Sequence, residues 1–193
     1  MASDPITKLT EQEYLAIERA AQFRSEFIDG EMFAMAGASK RHGLIQRNLQ
    51  GELYVALRGG KCGPFGPDSR VRISAESYTY PDVSVVCDQS VAGGDEDNLV
   101  NPVVIFEILS PTTEKYDRGA KFQLYRTIES LQEYILVNQD QVRIEQFTRQ
   151  ADGTWKLRDL EGPEAELKID SIGVAIALRR IYDKTGLLAV TAP

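Results

Sequence analysis

A glutamate in the middle of an apolar run is the first residue in this chain whose type and place call for chemistry. Glu107 lies inside Val103-Val104-Ile105-Phe106-Glu107-Ile108-Leu109, and a carboxylate in an apolar strand is almost never buried unless something pairs with it. Either the strand is an edge with Glu107 on a solvated face, or Glu107 is a metal ligand or a proton-transfer group. Asp82 is a second acid, behind Pro81 at the start of Asp82-Val83-Ser84-Val85-Val86. Alone, an aspartate there reads as a turn residue. If the two strands are neighbours, however, the acids converge, and carboxylates that close repel unless a cation or a shared proton relieves them. Magnesium or manganese suits that role, because both favour oxygen ligands and leave water in open positions. Asp117, Lys121 and Tyr125 follow at i, i+4, i+8, one stripe of a helix. They form either a surface ion pair beside a partly buried tyrosine or an ammonium returned over the strand end. There it would orient an attacking water and stabilise a pentavalent phosphoryl charge.

Other chemistries are excluded by composition. One histidine, His42, rules out multi-histidine metal centres, and any Ser-His mechanism would have to run through it. Cys62 and Cys87 make no disulfide framework and match no zinc spacing, so they read as buried, inert thiols. Lysine and arginine total 22 against 29 acids, a net charge of -7 with a pI near 4.9. Binding a polyanion through overall charge needs a basic surface, so any nucleic-acid contact must be local or metal-assisted. No Walker loop, dinucleotide glycine motif or glycosylation sequon occurs.

The elements that must position these residues follow from pattern. With 193 residues, 42% hydrophobic and 26% charged, the chain reads as one globular domain spanning 1–193. No apolar stretch approaches the roughly 18 residues of a membrane span, and the start, Met1-Ala-Ser-Asp-Pro, is no secretory signal. A cytoplasmic protein is expected. Thr10 and Glu13 have capping-box spacing, and Leu9 with Tyr14 staple spacing, ahead of a helix to about Ala21. Ser25 to Ile28 and Glu31 to Met35 flank Asp29-Gly30, a type I′ hairpin turn. Ser39 caps a helix whose Ile45, Leu49, Leu53 and Ala56 repeat at helical spacing, ending at Gly59-Gly60. Strands are expected at Val71 to Ile73, Asp82 to Val86 and Val103 to Leu109, the last two central. Gln89 to Asn98 reads as a solvated loop, and Asp117 to Ile128 as a helix. Glu133 to Asn138, Val142 to Arg149 and Trp155 to Leu160 form a meander, and Leu178 to Tyr182 is helical.

Taken in order, these residues carry a resemblance. Ser25-Glu26-Phe27-Ile28-Asp29-Gly30-Glu31, a helix beginning near His42, Pro81-Asp82-Val83, Phe106-Glu107-Ile108-Leu109-Ser110-Pro111-Thr112, Asp117 to Lys121 to Tyr125, and Glu133-Tyr134-Ile135-Leu136-Val137 succeed one another. The ordered set, from Leu9 to Phe147, resembles the Uma-type restriction endonuclease family of the PD-(D/E)XK nuclease superfamily. The resemblance implies an α/β (α+β) fold. A restriction-endonuclease-like mixed central sheet is flanked by helices, with an N-terminal hairpin and a C-terminal β-meander. It also implies one or two Mg2+ or Mn2+ ions at the strand ends. Asp82 and Glu107 match the two acids of the motif. The lysine expected two positions after the second acid is replaced by Leu109, which makes Lys121 on the following helix the candidate and Lys115 the alternative. Glu26 matches an acid that joins the metal site or its surroundings. His42 lies near the cleft, or is a helix-start residue bonded to the Ser39 region.

The implied activity is metal-dependent endonucleolytic hydrolysis of DNA by a homodimer. Asp82, Glu107 and the main-chain carbonyl of Ile108 hold the ion and Lys121 positions the water. Asp117, Tyr125 and Lys115 stand around them, and Arg118, Lys115, Lys40 and Arg41 are candidate phosphate contacts. Two rivals remain. One is a catalytically silent nuclease-fold module that binds or regulates a partner, favoured by Leu109 and the charge of -7. The other is a metal-independent acid–base enzyme using Glu107, Lys121 and His42 on a small molecule.

Overall fold

The structure is a computed structural model, described here for residues 8–35, 37–88 and 97–188. Helix α1 (Glu11–Ala20) begins with the anticipated capping box, the Thr10 and Glu13 side chains each accepting from the other's backbone N–H. The hairpin β1 (Ser25–Ile28) and β2 (Glu31–Ala34) turns at Asp29 and Gly30, with φ of 51° and 85°, the positive values a type I′ turn demands. Helix α2 (Lys40–Leu57) is capped by the Ser39 hydroxyl, which accepts from His42 N–H. Strands β3 (Cys62–Phe65), β4 (Arg70–Ser74), β5 (Ser77–Thr79), β6 (Val83–Cys87), β7 (Asn98–Leu99) and β8 (Pro102–Leu109) follow.

After β8 the chain turns on Ser110, whose carbonyl accepts from Thr113 and Glu114 N–H. Helix α3 (Glu114–Tyr116), a π-helical turn (Asp117–Lys121) and α4 (Phe122–Tyr125) run on from one to the next. The helix thus starts three residues earlier than expected from Asp117, because Ser110 supplies the first bonds. The meander β9 (Glu133–Asn138), β10 (Arg143–Arg149) and β11 (Trp155–Glu161) comes next. A small ribbon of β12 (Glu166–Ile169) and β13 (Val174–Ala177) then leads into α5 (Leu178–Ile181). Of the expected loop at Gln89 to Asn98, residues 89–96 lie outside the described residues, and Asn98 belongs to β7.

The central sheet has the order β11-β10-β9-β8-β6-β3 and is mixed, β8 and β9 running parallel and the other pairs antiparallel. The C-terminal meander is half of it. The N-terminal hairpin belongs to a second sheet, β2-β1-β5-β4-β7. On one face of the central sheet, Val83, Val85, Val104, Phe106, Ile108, Ile135 and Val137 pack against Ile45, Leu49 and Leu53 of α2 and against α5. On the other, Ile105, Leu109, Tyr134 and Leu136 meet Tyr125 of α4 and Val71 of β4. Both faces are covered, which is why β8 reads as a continuous apolar run rather than an alternation. Among the described residues no helix is long and apolar enough to cross a membrane.

The cysteine expectation is corrected. Cys62 and Cys87 form a disulfide, because β3 and β6 pair antiparallel with these two residues directly opposite. Sequence spacing hid the pairing, since β3 has a weak strand signal and was not anticipated.

Candidate active site

Central strands bring the acids together. Val83 pairs with Phe106 across β6 and β8, and Asp82 stands just ahead of that pair, next to the Glu107 stretch of β8. Asp82 Oδ2 accepts from Ile108 N–H at 2.7 Å, which ties the acid to the β8 backbone beside Glu107. The edge-strand reading of Glu107 is excluded, because β8 lies between β9 and β6 and the residue is 4% exposed.

Lys121 comes to this point from the helical segment. Its Nζ stands 2.9 Å from Glu107 Oε1, 2.9 Å from Glu26 Oε1 and 3.8 Å from Asp117 Oδ1, and the residue is 5% exposed. Tyr125 OH donates to Glu107 Oε1 at 2.8 Å. The stripe Asp117, Lys121, Tyr125 therefore faces inward as a unit, with a π turn at its head. Such turns recur at functional sites. Lys115, by contrast, is exposed. Leu109, on the same strand face as Glu107, packs with Tyr125 and Tyr134, while the ammonium arrives from the helix above.

Glu26 reaches the site from β1, where it also accepts from Tyr80 N–H at 3.3 Å. His42 satisfies both descriptions anticipated for it: its N–H is capped by Ser39 Oγ at 3.1 Å, and its ring Nε2 lies 2.9 Å from Asp82 Oδ1. Two neighbours were missed. Gln46 donates from Nε2 to the Asp82 carbonyl at 3.3 Å, and its i+4 spacing from His42 on α2 was a usable signal. Tyr116 has its ring centroid 5.8 Å from Lys121 Nζ and its hydroxyl 3.5 Å from Glu26 Oε2; it lies off the stripe, and nothing local marks it. The expected phosphate contacts fare differently. Arg118 is paired with Glu114 and Glu145, and Arg41 with Asp140 at 2.7 Å, whereas Lys40 is exposed at the start of α2.

Electrostatically the site is short of positive charge. Burial pushes the carboxyl groups of Glu107, Asp82 and Asp117 above their ordinary range, against the pull of Lys121 on Glu107 and Asp117 and of His42 on Asp82. Burial alone would lower the Lys121 ammonium, but Glu107, Glu26 and Asp117 outweigh it and hold the pKa well above the ordinary lysine value. One ammonium and one imidazole thus face four carboxylates. A divalent cation fits this deficit. Among the described residues no three acid, histidine or cysteine side chains form a ready ligand cluster. The fit is thus to an ion that takes few protein ligands and keeps several waters, as magnesium does. Both Asp82 oxygens and Glu107 Oε1 are hydrogen-bonded, yet each carboxylate retains lone pairs for a metal.

Comparisons with known proteins give the family and the fold. Residues 11–179 match the family model Uma2, described as "Putative restriction endonuclease". Two Synechocystis proteins are similar along most of their length. "Uncharacterized protein slr1290" is 36% identical over 181 residues, covering 93% of this chain and 94% of its own. "Uncharacterized protein sll1609" is 38% identical over 162 residues, 83% and 92% respectively. An Anabaena variabilis crystal structure, described as a "putative nuclease belonging to DUF820", superposes with a TM-score of 0.73. It covers 90% of this chain and 97% of that one at 17% identity, a likeness of fold.

Proposed function

The chain belongs to the Uma2 family, described as "Putative restriction endonuclease", and from that membership we propose that it hydrolyses phosphodiester bonds of DNA with magnesium or manganese. The observation that carries the reading is the buried Lys121 ammonium held 2.9 Å from Glu107, with Asp82 tied to the N–H of the next residue, Ile108. It supplies from a helix the cation that the strand lacks at Leu109.

Asp82, Glu107 and the Ile108 carbonyl would hold the ion, which on binding lowers the pKa of water and neutralises phosphate charge. Lys121 orients the attacking water and offsets charge on the phosphoryl oxygens. Glu26 and Asp117 keep Lys121 protonated and pointed inward, and Tyr125 fixes the Glu107 oxygen that Lys121 touches. His42 and the Ile108 N–H hold Asp82 by one oxygen each, which fixes the carboxylate. A homodimer is part of the proposal, one site for each strand of a duplex that is locally unwound.

The test is cleavage of plasmid and single-stranded DNA with manganese, comparing wild type with Glu107→Gln and Lys121→Ala. Loss in both variants supports the reading; cleavage that survives Glu107→Gln sinks it. A silent module would instead show no saturable manganese binding that depends on Asp82 and Glu107.

A further inference from the structure

Strand β2 is the edge of the second sheet, and one of its faces carries two open apolar side chains beside charged ones. Phe33 is 50% and Met35 38% exposed. Phe33 is the cross-strand partner of Glu26, and the ladder continues through a bond from Met35 N–H to the Arg24 carbonyl at 3.1 Å. Opposed residues project from the same face, about 5 Å apart, and residues two apart along a strand do likewise. Arg24, Glu26, Phe33 and Met35 therefore share one face. Phe27 and Met32, on the other, pack with Tyr14 of α1. Glu26 is the carboxylate that grips Lys121, so the open aromatic stands directly beside the candidate active site.

From this placement we infer that Phe33, with Met35 next to it, is a stacking platform for an unpaired base flanking the scissile phosphate. The substrate is then single-stranded or locally unwound nucleic acid. The inference rests on the nuclease reading and narrows its substrate. Charge argues for it: the chain carries -7, Arg118 and Arg41 are tied into ion pairs, and the site is acid-rich. Counterion release, the main source of affinity for a duplex backbone, is therefore weak here. Stacking on an exposed ring adds affinity that does not come from counterion release and accepts any base, provided that base is out of the duplex. Continuity with the Glu26 face selects the strand being cut as the occupant, over a second copy of the chain.

The test measures anisotropy of a short fluorescein-labelled DNA strand, the RNA strand of the same sequence and the DNA duplex. Calcium replaces manganese, and the full-length wild type is compared with Phe33→Ala, Phe33→Trp and Met35→Gln. Expected are tighter wild-type binding to a single strand than to the duplex and a loss of about tenfold or more for Phe33→Ala on the single strand. Phe33→Trp should retain affinity and Met35→Gln should lose less than Phe33→Ala. The sugar that binds better identifies the nucleic acid. The inference is overturned if Phe33→Ala, shown folded by circular dichroism, binds single strands as wild type does. It is equally overturned if sedimentation shows that this variant dissolves a dimer, since the face then belongs to a second copy. Wild-type cleavage with manganese is recorded alongside: cleavage with an indifferent Phe33 removes this inference alone, whereas neither cleavage nor binding removes the nuclease reading as well.

Discussion

Glu107 and Glu133 are buried glutamates on the adjacent parallel strands β8 and β9, 4% and 1% exposed. They point to opposite faces of the central sheet and are kept there by different chemistry. Glu133 accepts from Gln146 Nε2, from Ser171 N–H at 3.0 Å and from Ser171 Oγ at 2.8 Å, all neutral donors. It pins the turn after β12 to the sheet. Glu107 is held by an ammonium and a phenol, and further carboxylates crowd the same ammonium. Burial is common to both, so burial does not mark a reactive acid. What separates them is charge left unbalanced: a carboxylate satisfied by neutral donors is complete, whereas four acids around one lysine and one histidine are relieved only by a further cation or by protons they retain.

Substitutions can break this contrast. The largest effect is expected for Lys121, because Lys121→Ala leaves Glu26, Glu107 and Asp117 buried together without their ammonium. Removing one partner of a buried ionic cluster costs about 3–5 kcal/mol, so the melting temperature should drop sharply as cleavage disappears. Lys121→Ala that melts like wild type would mean the cluster is not charged as described. Glu107→Gln should instead reduce cleavage by about hundredfold or more while the protein stays folded in circular dichroism. Glu133→Gln should do the reverse. It turns an amide NH2 donor toward donors that need an acceptor and costs about 1–3 kcal/mol of stability, with the cleavage rate of the folded protein retained. If Glu133→Gln abolished cleavage without loosening the fold, the two acids would not differ in kind.

The pH response sharpens the same point. Glu107, Asp82 and Asp117 have folded pKa values raised above those of the unfolded chain, chiefly by burial. Protons are then held by the native state where the unfolded chain has released them. Stability from these groups is fully present below the ordinary carboxylate range, about pH 4, and is lost as pH rises through the raised folded values. Thermal melts at stepped pH should show this decline in wild type and a shallower one in Glu107→Gln. An unchanged slope would place the titrating acids elsewhere. The smallest effect belongs to Tyr125→Phe, which removes one donor from Glu107 and costs on the order of 1 kcal/mol, read as a small shift of the melting midpoint.

The sequence alone determined whatever contiguous residues encode. Thr10 and Glu13 start α1, Asp29-Gly30 closes the hairpin, Ser39 starts α2, and the i, i+4, i+8 spacing lines Lys121 up with Asp117 and Tyr125. Glu107 was visible as an anomaly because its neighbours are apolar. Glu133 was not, because a glutamate at the first position of a strand looks ordinary until Ser171 and Gln146 fold over it. The Cys62–Cys87 bond, the second sheet with its short β5, and the pairing of Arg118 with Glu145 were likewise decided by the tertiary structure. Caps, turns and periodicity act over a few bonds. The partners of a buried charge or thiol, by contrast, come from segments far apart in the chain, and packing alone chooses among them.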